Sequence, residues 1–77
     1  MERVYTIELK ESKNPLNINV IFNGLEGIRE IKADDGFYKY VYGDYKLLSQ
    51  AKATLLKVKK MGYTDAFIRD INVMVNK

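Results

Sequence analysis

Between residues 3 and 10 the chain alternates strictly. Tyr5, Ile7 and Leu9 fall on one side, and Thr6, Glu8 and Lys10 on the other. Period-two alternation in β-forming residue types predicts a strand with one buried face. The polar stretch ESKN breaks the pattern. Asn14 followed by Pro15 reads as a helix N-cap with proline at the first helical position, where the missing N–H costs nothing. Ile18, Ile21, Phe22 and Leu25 then recur at helical spacing, which predicts a short helix from Pro15 to Asn23. The β-branched Ile18, Val20 and Ile21 lower its intrinsic propensity, so packing must hold it. Gly24 and Gly27 bracket the exit, where a left-handed residue commonly ends a helix.

Ile28–Ala33 predicts a second, weaker strand whose Arg29, Glu30 and Lys32 suit a sheet edge. Asp34-Asp35-Gly36 is a hairpin turn. Phe37–Tyr42 is an unbroken aromatic and β-branched run, the clearest strand in the chain, ended by Gly43. A second helix follows over Leu47–Met61, with Leu48, Ala51, Leu55 and Val58 on its buried face, lysines opposite and Gly62 closing it. Tyr63-Thr64 leads into a last strand, Asp65–Asp70, where Ala66 and Ile68 alternate with Phe67 and Arg69. Ile71–Lys77 reads as a tail or a short strand extension.

The order β-α-β-β-α-β implies an α+β fold. Two right-handed crossovers folded into one sheet give a ferredoxin-like arrangement: four antiparallel strands in the order 4-1-3-2, both helices on one face and the other face open. Seventy-seven residues make one domain. With no cysteine and no histidine, thiolate staples, the commonest zinc ligand and the commonest general base are all missing. No paired nucleophile and base, and no phosphate-cradling glycine loop, can be picked out, so no catalytic residue and no cofactor is assigned. A net charge of +3 is a mild bias, and Lys57, Lys59 and Lys60 fit an exposed helix face better than a nucleic-acid arm. No apolar run is long enough for a membrane span.

The second half, GFYKYVYGDY followed by LLSQAKATLLKVKKMGYTDAFI, resembles the SPOR (sporulation-related) family. Tyr38 to Gly43 match its aromatic-basic-apolar strand, and Tyr45 stands where the family has Phe. Ala51 is the early helix alanine, and Gly62-Tyr63 with Ala66-Phe67 close the motif. VYTIELKESKNPLNI parallels its opening strand and helix more loosely, so the resemblance covers a core of about residues 4–70. Asp44 replaces a proline, and Glu8 stands where Gln is frequent. The resemblance implies a non-catalytic module that binds the denuded glycan strands of peptidoglycan and localises a larger cell-envelope or periplasmic protein. This sequence carries no signal peptide, which is expected of a piece of a longer exported chain.

Strand parity places Thr6, Glu8 and Lys10, then Phe37, Lys39 and Val41, then Phe67 and Arg69 on the open face, with Glu8 between Lys39 and Arg69. Sugar recognition needs flat apolar surface for C–H faces and charged or amide groups for hydroxyls. The glycan-binding candidates are therefore Glu8, Phe37, Lys39, Val41, Phe67 and Arg69. Opposite charges on neighbouring strands are also ordinary cross-strand pairs, and a solvated sheet face needs no ligand. Tyr38, Tyr40 and Tyr42 share the other parity and read as core. The RNA-recognition motif has the same element order, but Lys39 falls where its second stacking aromatic belongs and Glu8 adds negative charge, so nucleic acid is not expected. An acylphosphatase-type enzyme would need an Arg in the first loop, and ESKN has none. A protein partner on the same face, or on the edge at Ile28–Ala33, is the alternative to glycan.

Overall fold

A computed structural model of the chain describes residues 3–22 and 24–71. It contains β1 (Tyr5–Ser12), α1 (Ile18–Ile21), β2 (Arg29–Lys32), β3 (Tyr38–Tyr45), α2 (Leu48–Lys60) and β4 (Phe67–Asp70). The strands form one sheet in the order β2-β3-β1-β4, with every neighbouring pair antiparallel. Read from the other edge this is the expected order, 4-1-3-2. The readings of residues 72–77 lie outside the described residues.

One core sits on one side of the sheet. Ile7, Leu9, Tyr40 and Ala66 from the strands and their flanks meet Ala51 and Val58 of α2, and Phe22 at the end of α1. Both connections therefore pack on that side. Phe22 is the anchor, its ring centroid 5.3 Å from Tyr40 and 6.1 Å from Tyr63. Tyr40 is fully buried, and its hydroxyl accepts from the Leu16 N–H at 2.6 Å and donates to Glu30 at 2.7 Å. A buried hydroxyl must find such partners, and these two tie the β1–α1 loop and the β2 edge to the central sheet.

α1 is shorter than its sequence pattern. The cap is Asn17, whose Oδ1 accepts from the Asn19 N–H at 3.1 Å, and not Asn14. Residues 15 and 16 stay outside the helix, and the Leu16 N–H bonds the Tyr40 hydroxyl. A single turn remains, and Ile21, expected on the sheet, is 42% exposed. Leu48, expected on the buried face of α2, is also 42% exposed. It lies roughly 60–80° around the helix from Ala51 and Val58, which fix the contact line. The far end of α2 closes as its sequence predicts. Tyr63 N–H bonds Val58 O at 3.2 Å and Gly62 N–H bonds Lys59 O at 3.1 Å, the pair of bonds that defines a Schellman motif.

The β1–β3 pair departs from regular alternation twice. Tyr5 faces Tyr45 but Ile7 faces Tyr42, so β3 carries an extra residue there; Glu8 faces Val41 but Lys10 faces Tyr40, so β1 carries one near Leu9. Each is a β-bulge, which kinks a strand and re-aims the side chains beyond it. Gly43 therefore does not end β3. It sits at the first bulge with φ +77°, and the strand runs on to Tyr45. Beyond the second bulge Glu11 faces Lys39, and Lys10 shares the Tyr40 side. The expectation that Lys10 belongs with Thr6 and Glu8 is thus corrected: Glu11 takes that place.

The hairpin turn at Gly36 and the bulge at Gly43 give a stability test. Gly36 has φ +87° with open space around a would-be Cβ, whereas a Cβ on Gly43 would meet the Tyr45 ring at 2.5–2.7 Å. Gly36→Ala is expected to cost about 1 kcal/mol, the penalty of positive φ alone. Gly43→Ala adds displacement of the Tyr45 ring from the core and is expected to cost about 2 kcal/mol or more. Urea unfolding of the two variants measures the difference, and equal costs would contradict the close approach of Tyr45 to the bulge.

Candidate functional site

The sheet face away from the helices is a short grid. Its middle row runs Arg29, Val41, Glu8, Phe67 across β2, β3, β1 and β4. The row on one side is Ile31, Lys39, Glu11, and on the other Thr6 faces Arg69 beside the Gly43 bulge. Directly opposed residues point the same way, so the pairing alone brings Glu8, Lys39, Val41, Phe67 and Arg69 onto one face. Phe37 flanks it, with the Lys39 ammonium 5.8 Å from its ring centroid.

The centre of this face is not open. Val41 and Thr6 have no exposure, Glu8 has 2% and Lys39 has 5%. Four of the sequence candidates are therefore wholly or largely out of reach of solvent or only partly exposed: Glu8, Lys39 and Val41 are buried and Phe37 is half-buried. Phe67 remains 42% exposed, and the Arg69 side chain 31%. Parity predicts which way a side chain points but not what its long charged neighbours cover.

Those neighbours form three separate groups of hydrogen bonds, most of them charge-assisted. Arg69 Nε donates to Glu8 Oε1 at 2.9 Å. Lys39 Nζ, expected beside Glu8, instead donates to Glu11 Oε1 at 2.6 Å and to Asp35 Oδ2 at 3.1 Å. Arg29 reaches over the bulge to Asp44 at 2.7 Å and to Gly43 O at 3.3 Å, and the Thr6 hydroxyl donates to Gly43 O. Among the described residues no buried side-chain polar atom lacks a partner. A fully satisfied network of this kind rigidifies what it holds. Glu11, Arg29 and Asp35 were not singled out by the sequence. Glu11 was hidden by the bulge, Arg29 by its place on an edge strand, and Asp35 by its turn role, which it also fulfils by accepting the Phe37 N–H at 3.0 Å.

Two pKa shifts follow from the network. The Glu11 carboxylate bonded to Lys39 raises its pKa above the ordinary 10.5 against the opposing effect of burial, with help from Asp35 and the charge of Glu8. The Phe37 N–H, and then Lys39, hold Asp35 below its ordinary 3.8. In the core, burial pushes the Tyr40 hydroxyl above 10.0.

What stays accessible is a groove of about 460 Å³ between β1 and β4, lined by Glu8, Leu9, Lys10, Glu11, Asp65, Phe67 and Arg69. The Phe67 ring forms its apolar wall, with the Arg69 guanidinium 5.1 Å from the ring centroid. The rest of the rim is polar and carries both signs of charge. Such a groove can bind and orient a polar, neutral ligand with one apolar face. Among the described residues no group of three or more acidic side chains is placed to hold a metal ion. No helix among them is long and apolar enough to cross a membrane.

Two outcomes are expected. Arg69→Met leaves the Glu8 carboxylate, whose side chain is 3% exposed, without its partner, and should cost about 3 kcal/mol. Adding Glu8→Gln should recover at least half of that in urea unfolding, because a neutral amide is cheaper to bury. Lys39→Met should cost clearly less than Arg69→Met, since Glu11 and Asp35 are half-exposed and can rehydrate. For pH, Lys39 and Tyr40 both have raised folded values. Their contribution is complete below about 10 and is lost as pH rises through the folded values. Asp35 has the opposite sign, its share being lost as pH falls below 3.8 toward its folded value. Unfolding midpoints followed from pH 7 into the alkaline range should drop, and less steeply in Lys39→Met.

Comparison of the chain with family models, with curated proteins and with solved structures returned no match.

Proposed function

We propose that this chain is a ferredoxin-like module of SPOR type that binds denuded glycan strands of peptidoglycan without catalysing a reaction, and so localises a longer protein of the bacterial cell envelope. The carrying observation is the exposed Phe67 ring, backed by Arg69, at the wall of a mixed-charge groove on the helix-free face. A pyranose ring offers a C–H face for an aromatic and a rim of hydroxyl and amide groups for charged partners. In this reading Phe67 stacks on the sugar. Arg69, Glu11 and Asp65 hydrogen-bond its substituents, and Phe37 extends the apolar surface. Glu8, Lys39 and Val41 support the site from beneath. Glu8 fixes the Arg69 guanidinium, and Lys39 fixes the Glu11 carboxylate.

The motif order that resembles the SPOR family supports the same reading. Its alanine, Gly-Tyr and Ala-Phe positions stand where the fold needs them: Ala51 and Ala66 are buried, and Tyr63 packs on Phe22. A protein partner on the same face finds less support, because the groove is narrow and its floor is charged.

The test is co-sedimentation with purified insoluble peptidoglycan, untreated and after amidase removal of its stem peptides. Binding is expected to rise on denuded material and to fall about tenfold in Phe67→Ala, an exposed change that leaves the core intact. If the wild-type protein, shown folded by circular dichroism, sediments with neither preparation, the glycan reading is wrong.

A further inference from the structure

The second helix has an outward stripe that neither the core nor the groove uses. Its sequence, LSQAKATLLKVKK, holds four lysines and no carboxylate. The rest of the chain, with nine basic and ten acidic residues, is close to neutral, so the net positive charge of the protein resides on this one helix. Lys52, Lys57, Lys59 and Lys60 make no ion pair among the described residues.

Between those lysines lies apolar surface. Leu56 is 59% exposed and Met61 is 43% exposed. With Ala53, Lys57 and Lys60 they line one shallow depression of about 430 Å³. The positions 53, 56, 57, 60 and 61 recur at the three-and-four spacing of a single helix face. That is the pattern of a seam onto which another helix packs: small Ala53 permits close approach, Leu56 and Met61 supply the apolar contact, and lysine stems cover the flanks. An apolar centre with a charged rim is also how protein interfaces are built.

We infer that this stripe of α2 docks an acidic amphipathic helix of a partner protein, with apolar side chains over Ala53, Leu56 and Met61 and carboxylates against Lys52, Lys57 and Lys60. Charge complementarity selects an acidic occupant, and the seam spacing selects a helix. Nucleic acid fits less well, since the stripe has neither arginine for bidentate phosphate contacts nor an aromatic for stacking. A lipid surface fits less well because lysines lie within the stripe and only two large apolar side chains stand clear of it. This surface is separate from the glycan groove, so the two readings stand or fall independently.

The test is a display selection of helix-length random peptides against the full chain, counter-selected on a Leu56→Glu/Lys60→Glu variant whose fold is checked by circular dichroism. Enriched peptides are expected to carry Leu or Ile at three-and-four spacing with an excess of Asp and Glu. They should bind the variant at least about tenfold more weakly and weaken again at high salt. The same variant should sediment with denuded peptidoglycan as the wild type does. No enrichment, or peptides without an acidic excess, would overturn the proposal. So would phosphatidylglycerol vesicles or duplex DNA that bind the wild type but not the variant while peptides do not.

Discussion

The match of Glu11 to the buried Lys39 on the helix-free face depends on the paired bulges in β1 and β3. Two antiparallel strands of regular pleat would keep one parity from end to end. Here the β3 bulge at Gly43 and the β1 bulge near Leu9 insert one residue each, in opposite strands. The overall register recovers, but a short central block is shifted. Inside that block Glu8 faces Val41, and just past it Glu11 faces Lys39. Without the second bulge a lysine would point at a lysine across the sheet, a repulsive pair. With it, a carboxylate meets the buried ammonium.

A chain of this size fills one apolar core and has little material for a second. The helix-free face instead carries long charged side chains whose ends pair with one another, and Thr6 and Val41 among them have no exposure. The cost of such burial is high unless each charge is met. Glu8 has Arg69, Lys39 has two carboxylates, and Arg29 has Asp44 and the Gly43 carbonyl it shares with Thr6. The pairs are consequently positioning devices more than sources of stability. They hold Arg69 beside Phe67 in a fixed orientation, which lowers the ordering cost a ligand has to meet.

Much of this was legible in the sequence because it rests on period and on local chemistry. Alternation in β1 and β3, the Asp-Asp-Gly turn and the Gly62 close of α2 each have a local cause, and their order sufficed for the strand order of the sheet. Three features had no local cause. The α1 turn starts at the Asn17 cap and not at Asn14, beside a hydrogen bond from Leu16 to Tyr40 of another strand. The bulge near Leu9 leaves no mark in the apolar pattern, so Lys10 was placed where Glu11 stands. Burial of Glu8, Lys39 and Val41 depends on neighbours across three strands. Gly43 was visible but ambiguous, since glycine marks strand ends and bulges alike.

The two surfaces lie on opposite sides of the sheet. The groove opens between β1 and β4 on the helix-free side, while the Ala53–Met61 stripe faces outward from a helix packed on the other side. Their chemistries are also distinct: one is mixed in charge around the Phe67 ring, the other basic with lysines around Leu56. Under the two proposals a ligand in the groove would therefore neither cover nor neutralise the stripe. Between them stand only the sheet and the shared core, in which Phe22, Tyr40 and Val58 are fully packed.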